Sequence, residues 1–170
     1  MRIIEILNCD KHFGIGKKNG LLFHQPKDMA FFRQTTSGHV VAMGENTLLS
    51  FPGAKPLPNR LNIVLSQDKA HEYEGVENYH DMASFLEAIK YYSGKDDVYI
   101  IGGASIYRQL LPFCTDILLT KIDADGEAEV FFPNIDEDER FELKSVSAPE
   151  EDNGREIRFC HYINKSPLPL

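Results

Sequence analysis

One carboxylate in this sequence stands where its neighbours could give it chemistry to do. Asp28 lies two residues after Pro26, in a segment whose apolar members Met29 and Phe32 fall beside it at helical spacing, with Thr35 on the same face. A first-turn aspartate ordinarily serves the helix dipole from the surface. Flanked by Met29 and Phe32, the same group can instead be desolvated, its pKa raised, and can accept two hydrogen bonds from a planar, amidine-like ligand. Helix position alone favours the first reading and leaves the second open. Two further places share one design: an apolar run, then glycine, then a helix start. They are residues 40–44, ending at Gly44, and residues 98–103, ending at Gly102 and Gly103. The first amides of a helix lack internal partners and sit at its positive end, so they bind anions; glycine lets a phosphate come close to the backbone. Two such ends at neighbouring strand termini can grip both phosphates of a dinucleotide. Neither is the G-x-G-x-x-G fingerprint, and each alone is an ordinary turn.

The elements that must position these residues follow from pattern. Residues 2–9 read as a first strand, followed by a loop with Gly14, Gly16 and Gly20. Pro26 opens a helix running to about Thr36, as proline in a first turn does. Residues 39–43 form a strand ended by Gly44, with a short helical turn from Asn46; residues 51–60 carry three prolines and a glycine and read as a rigid loop. A strand at 61–65, a helix at 81–91 with Asp81 at its cap, a short buried strand at 98–101 and a helix at 105–111 stopped before Pro112 come next. Residues 117–122, 141–146 and 157–163 are closing strands, the last two a hairpin across 149–154. Strands alternating with helices predict an α/β fold: a single domain (residues 1–165) with a central, mostly parallel β-sheet, an antiparallel C-terminal hairpin and about four flanking helices. Residues 166–170 read as a frayed tail.

Composition narrows the function classes. A chain of 170 residues suits one domain with a sizeable core, and 42% hydrophobic with 26% charged residues is ordinary for a globular protein. The net charge of −8 repels a nucleic acid backbone, and Lys17 with Lys18 is the only basic pair. Two acidic clusters, 136–139 and 150–152, read as solvated turns. No apolar run approaches the ~20 residues that span a bilayer, and the first residues lack a secretory signal. Cys9, Cys114 and Cys160 are odd in number and scattered, so buried thiols in a cytoplasmic protein are expected. The six histidines show no ligand-like clustering, so no metal site is expected.

The order of motifs resembles dihydrofolate reductase along nearly the whole chain. The landmarks are Gly14-Ile15-Gly16 with Asn19, then Leu21 to Phe32 containing Pro26-x-Asp28. Next come Met43-Gly44-x-x-Thr47 with Ser50, and Pro56-Leu57-Pro58-x-Arg60-x-Asn62-Ile63-Val64-Leu65-Ser66. Ile101-Gly102-Gly103 with Tyr107, Thr120-x-Ile122 and Phe132-Pro133 close the series. Each is weak alone; together, at this spacing, they are specific. The resemblance implies reduction of 7,8-dihydrofolate by hydride transfer from NADPH, with NADH as a possible donor, in one-carbon metabolism. It implies that Asp28 binds the 2-amino group and N3 of the pterin and that the Thr120 hydroxyl supports it. Ile6, Met29, Phe32, Ser50, Phe51, Leu57 and Ile101 would line the substrate pocket. Arg60 would pair with the carboxylate of the glutamate tail, which suits a bidentate guanidinium. On the cofactor side it implies Gly44, Glu45, Asn46, Thr47, Leu65, Ser66, Gln67, Gly102, Gly103, Ala104, Ser105, Ile106 and Tyr107, with a cis bond between the two glycines. Ile15, Gly16, Asn19 and Leu21 match the loop that closes over the nicotinamide. Closure expels water while hydride passes to C6 of the pterin, and N5 gains its proton by way of water rather than from Asp28 directly. The partners implied are dihydrofolate and a dinucleotide, bound to a monomer, with no nucleic acid and no membrane.

The sequence departs from the family pattern in three respects. Phe23 stands where tryptophan is usual and cannot donate a hydrogen bond, so proton delivery is expected to be weaker or rerouted. Glu45-Asn46 and Gln67-Asp68 stand where basic residues usually meet the 2′-phosphate of NADPH, and Ser105 replaces another; a weaker preference for NADPH over NADH follows, with Lys69, His71 or His80 able to restore it. Glu5 falls where small apolar residues are usual, which leaves the pterin contact to Ile4 or Ile6. Two rival readings are a pyrimidine reductase of riboflavin synthesis, which needs neither Pro26-x-Asp28 nor Arg60, and a folate- or nucleotide-binding domain without turnover.

Overall fold

The structure is a computed structural model that describes residues 2–18 and 20–170. In chain order the elements are β1 (Ile3–Cys9), β2 (Gly14–Gly16), α1 (Pro26–Thr36), β3 (Val40–Gly44), α2 (Glu45–Ser50), β4 (Leu61–Leu65), β5 (Glu77–Tyr79), α3 (Met82–Ser93), β6 (Val98–Ile100), α4 (Ala104–Leu110), β7 (Asp116–Ile122), β8 (Val130–Phe131), β9 (Phe141–Val146), β10 (Glu150–Asp152) and β11 (Arg155–Asn164). The main sheet runs β10-β11-β7-β1-β6-β3-β4-β5, with β9 also paired to β11. Strands β7, β1, β6, β3, β4 and β5 are parallel, and β9, β10 and β11 add antiparallel pairings at one side. The expected α/β architecture, with its C-terminal antiparallel strands and four helices, is the observed one.

Period-two alternation in β1 divides the core between the two faces of the sheet. Ile3 and Cys9 join Phe85 and Ile89 of α3 and Ile106, Tyr107 and Leu110 of α4 on one side. Ile4 and Ile6 join Val41, Met43 and Tyr99 on the other, against Phe31 and Phe32 of α1 and Leu57. All three cysteines are buried and unpaired, as small core residues. Asp81 caps α3 by accepting the N–H of Ser84 at 2.7 Å, as the sequence predicted.

The short strands β2, β5, β8 and β10 escaped the sequence reading, since two or three residues show no usable period. The expected antiparallel pairing of β9 with β11 is present, and the segment joining them adds the short strand β10, which pairs with the first residues of β11. The N–H of Leu168 donates to Pro112 at 2.9 Å, and Leu170 packs against the core. The acidic clusters also differ from the expected solvated turns. Asp152 is 4% exposed, and Asp136 accepts Lys121 Nζ at 2.7 Å and the Tyr162 hydroxyl at 2.6 Å.

Candidate active site

The residues singled out for chemistry collect at the carboxyl edge of the parallel strands, where open α/β sheets bind ligands. Asn8 lies near the end of β1, Gly44 ends β3, Ser66 follows β4, Gly102 follows β6 and Thr120 lies near the end of β7.

Asp28 sits in the first turn of α1, half-buried, facing β1 and β7. Its Oδ1 accepts the hydroxyl of Thr120 at 2.6 Å, and its Oδ2 accepts the side-chain amide of Asn8 at 2.7 Å. Burial pushes this carboxyl above its ordinary value, the two donors pull it back, and Asp152 adds repulsion. The helix that carries Asp28 has no cap from its own N-cap residue, Gln25. Asp152, reaching over from β10, accepts the N–H of Lys27 at 3.2 and 3.0 Å instead, and Gln25 Nε2 donates to the Asp152 carbonyl at 2.6 Å. Asp152 thus fixes the helix start from outside, and its sequence signal was hidden in an acidic run. Asn8 was missed too, because a lone asparagine in a strand carries no pattern.

Apolar side chains of one core face share this side of the sheet with Asp28. Ile6 is buried, Phe32, Phe51, Leu57 and Ile101 are partly buried on the same face, and Met29 is exposed at the rim. Ser50 is exposed, and its hydroxyl donates to the Thr47 carbonyl at 2.6 Å, which leaves its oxygen free to accept. Arg60 is anchored: its Nε donates to the Pro58 carbonyl at 2.9 Å and one terminal nitrogen to Thr36 Oγ1 at 3.0 Å. Burial and then neighbouring Arg33 lower its pKa, marking a locally positive end of the cleft. The loop bearing Leu57 and Arg60 is held by Asn62, whose Oδ1 accepts the Leu57 N–H at 3.0 Å while its amide donates to the Leu57 and Arg60 carbonyls, both at 3.0 Å.

On the other side of the strand edge the two glycine turns meet. The N–H of Gly44 donates to the Gly102 carbonyl at 2.9 Å, and the Gly102–Gly103 bond is cis. A Cβ on Gly44 would lie 3.2 Å from Ile106 Cγ1; one on Gly102, whose φ is +131°, would lie 3.1 Å from Thr47 Oγ1. Helices α2 and α4 start at Gly44 and Gly103 with no side-chain cap, which leaves first-turn amides including those of Thr47 and Ala104 to an outside acceptor. Ile106 and Tyr107 are buried behind this turn, and the Tyr107 hydroxyl donates to the Ile6 carbonyl at 2.8 Å. Ser105 is exposed and accepts Gln109 Nε2 at 2.8 Å.

Further along, Leu65 is buried, and Asn46 and Gln67 are exposed. Glu45 is held in place by Ser66 Oγ at 3.0 Å, His71 Nδ1 at 2.6 Å and the Tyr73 hydroxyl. The Tyr73 bond first, and then Ser66 and His71, outweigh desolvation and hold the Glu45 carboxyl below its usual range. His80 faces Glu72 at 2.6 Å and the Ser66 carbonyl at 3.0 Å, so both histidines here are engaged by carboxylates. Ile15 and Gly16 lie in β2, paired to β8, and Leu21 is 76% exposed. Asn19 lies outside the described residues. The Phe23 ring faces the Arg155 guanidinium at 4.5 Å.

Comparison with known proteins agrees with this arrangement. The family model for dihydrofolate reductase matches residues 2–164. The dihydrofolate reductase of Neisseria gonorrhoeae is 36% identical over 97% of this chain and 99% of its own, and that of Bacillus subtilis is 33% identical over 95% and 94%. A solved structure of dihydrofolate reductase from Enterococcus faecalis, complexed with NADP(H) and RAB-propyl, superposes with a TM-score of 0.86 at 28% identity, covering 97% of both chains. Matched by the family model over residues 2–164 and 36% identical to a dihydrofolate reductase over nearly its whole length, the chain belongs to the dihydrofolate reductase family.

Proposed function

We propose that this chain reduces 7,8-dihydrofolate to 5,6,7,8-tetrahydrofolate, with NADPH as donor and Asp28 as the carboxylate that holds the pterin. Family membership over nearly the full length supports the reaction. The observation that carries the site is Asp28 itself: a half-buried carboxylate with one donor of the chain on each oxygen. Each oxygen keeps a further lone-pair direction, and the pair together match the two parallel N–H groups of a 2-amino-pyrimidinone ring.

Ile6, Phe32, Phe51, Leu57 and Ile101 exclude water from the ring and the aminobenzoyl group, which strengthens the polar contacts inside. Arg60, with Arg33 beside it, receives the carboxylate of the glutamate tail. The uncapped amides after Gly44 and Gly103 fit a diphosphate, since side chains at Gly44 and Gly102 would crowd the turn where it must approach. A reduced nicotinamide, when bound, supplies the hydride. Asp28 remains engaged with the pterin edge and polarises the ring, and water supplies the proton to N5. Leu21, exposed and apolar, becomes covered when the loop before α1 closes.

Among the described residues no helix is long and apolar enough to cross a membrane. A cytoplasmic monomer without nucleic acid partners accords with the net charge of −8 and the unpaired thiols. Oxidation of NADPH in the presence of dihydrofolate, with Asp28→Asn as comparison, tests the assignment. Turnover that falls by at least about a hundredfold in the variant is expected. No turnover by the folded wild-type chain would favour a binding domain instead.

A further inference from the structure

Asn8 touches the central carboxylate from β1. It occupies the same face of β1 as Ile4 and Ile6, and its partner in the parallel register with β7 is Thr120. Two adjacent strands therefore present two donors side by side, and α1 lowers Asp28 onto both. Thr120 takes Oδ1 at 2.6 Å and Asn8 takes Oδ2 at 2.7 Å.

We propose that Asn8 is a positioning and tuning residue for Asp28, holding Oδ2 so that the carboxylate stays ionised and in one plane for a ligand with two parallel N–H donors. A single donor on Oδ1 would leave the group free to rotate about its Cβ–Cγ bond. A donor on each oxygen fixes that rotation, and the directions left over point the same way. The amide is also a stronger anchor than an apolar residue there would be, because hydrogen bonds to a charged acceptor exceed those between neutral groups.

The charge balance at Asp28 makes this second donor consequential. Asp152 of β10 is the negative neighbour that disfavours ionisation, and burial acts in the same direction. Tyr107 of α4 feels the Asp28 charge but spends its own hydroxyl on the Ile6 carbonyl. Lys27, next to Asp28 on α1, directs its ammonium to the Glu151 carbonyl at 2.8 Å, away from the pocket. Phe23 has no donor to offer. Among the described residues, Thr120 and Asn8 are thus the groups that favour the ionised form of Asp28.

The proposal rests on Asp28 being the pterin-binding carboxylate. Its test is kcat/KM for dihydrofolate against pH, at saturating NADPH, for wild type, Asn8→Leu and Asn8→Asp. Leu keeps the volume and removes the donor. Asp replaces the donor with a second acid, and two carboxyls at this distance cannot both ionise. The acid limb of kcat/KM reports the free enzyme's carboxyl. It is expected to move up by about one pH unit in Asn8→Leu, raising KM about tenfold on that limb with kcat on the plateau little changed, and further in Asn8→Asp. An unmoved limb in either folded variant overturns the role of Asn8, even where stability or total activity falls. Asp28→Asn, measured alongside, separates the two claims: its loss of turnover with an unmoved Asn8 profile removes only the tuning role, whereas wild-type turnover in Asp28→Asn removes the reading on which it rests.

Discussion

The Nδ1 atom of His71 lies 2.6 Å from Oε2 of Glu45, at the edge where the adenosine end of a dinucleotide is expected, and the hydroxyls of Ser66 and Tyr73 converge on the same oxygen. His71 also approaches Asp68, 3.4 Å from its other ring nitrogen. The basic group that could have met a 2′-phosphate is turned toward carboxylates instead. An ionised Glu45 repels a 2′-phosphate and can accept a bond from a free 2′-hydroxyl. Glu45→Arg is expected to raise the ratio of kcat/KM for NADPH over NADH by about tenfold or more, as one close charge reversal should. Steady-state kinetics with both donors decide it; an unchanged ratio would place the 2′-position elsewhere.

Arg60 offers a second separation of binding from chemistry. Its Nε and one terminal nitrogen are occupied by Pro58 and Thr36, which orients the rest of the fork. Arg60→Lys keeps the charge but loses that fork, so KM for dihydrofolate should rise about tenfold with kcat nearly constant. A dihydropterin lacking the glutamate tail should show no difference between the two enzymes. If both substrates suffer equally, Arg60 acts on the pocket's shape rather than on the tail.

These cases mark what the sequence makes legible. Pro26, the glycines after β3 and β6, and the apolar alternation in β1 each act locally, so helix start, anion-binding turns and sheet faces could be read from residue type and spacing. Asp28 was named as a candidate on its flanking Met29 and Phe32, but its supports were not all visible. Thr120 entered through family resemblance. Asn8 and Asp152 act only across 20 and 125 residues of chain, on Asp28 and on the N-terminus of α1. A hydrogen bond between distant segments leaves no periodic trace in either of them. The same holds for His71 and Tyr73, whose loop had no alignable pattern until Glu45 was seen to gather it.

Glu5 should make the fold less stable as the pH rises. It is fully buried in β1, with Ile100 and Ile117 as its lateral neighbours, and among the described residues neither carboxyl oxygen has a hydrogen-bond partner. Burial alone drives its pKa well above 4.5. The folded protein therefore keeps this proton at a pH where the unfolded chain has released it. The resulting penalty is absent below the unfolded value and grows as pH rises above it. Glu5→Leu is expected to stabilise the protein by about 2 kcal/mol near neutrality, or about 5 °C in Tm, and by less near pH 4. Thermal melts at both pH values give the answer, and a gain that is equal at the two would show that packing, not ionisation, is responsible.

Asp10 should do the reverse. Burial pushes its carboxyl up, but the N–H groups of Gly14, His12 and Gly126 together outweigh burial and hold it below its ordinary value of 3.8. Those donors lie at 2.7, 2.8 and 3.0 Å and tie the end of β1 to two loops. Its stabilisation is present above the unfolded pKa and is lost as pH falls through the folded one. Asp10→Asn should lose about 2 kcal/mol at neutral pH, and the difference from wild type should shrink on acidification. Urea unfolding at several pH values would expose a wrong sign directly.

Phe23 sets the last expectation, because its surroundings limit what can replace the missing donor. The ring lies 4.5 Å from the Arg155 guanidinium, which also donates to Gln25 Oε1 at 3.0 Å. Arginine cannot release its proton near neutrality, so Arg155 orients water or the ring and does not act as the acid. Gly126 borders the same ring: a Cβ there would lie 3.1 Å from Phe23 Cζ and 2.8 Å from Leu22 Cδ1. Phe23→Trp adds an N–H donor to a site with little spare room on that side, at a packing cost of about 1 kcal/mol. If a side-chain donor orders the water that protonates N5, the alkaline fall of the hydride-transfer rate should move up by about half a pH unit or more in Phe23→Trp. Single-turnover rates against pH, compared at equal saturation with NADPH, read this directly. Superimposable profiles would mean that the proton reaches N5 by a route that does not pass this side chain.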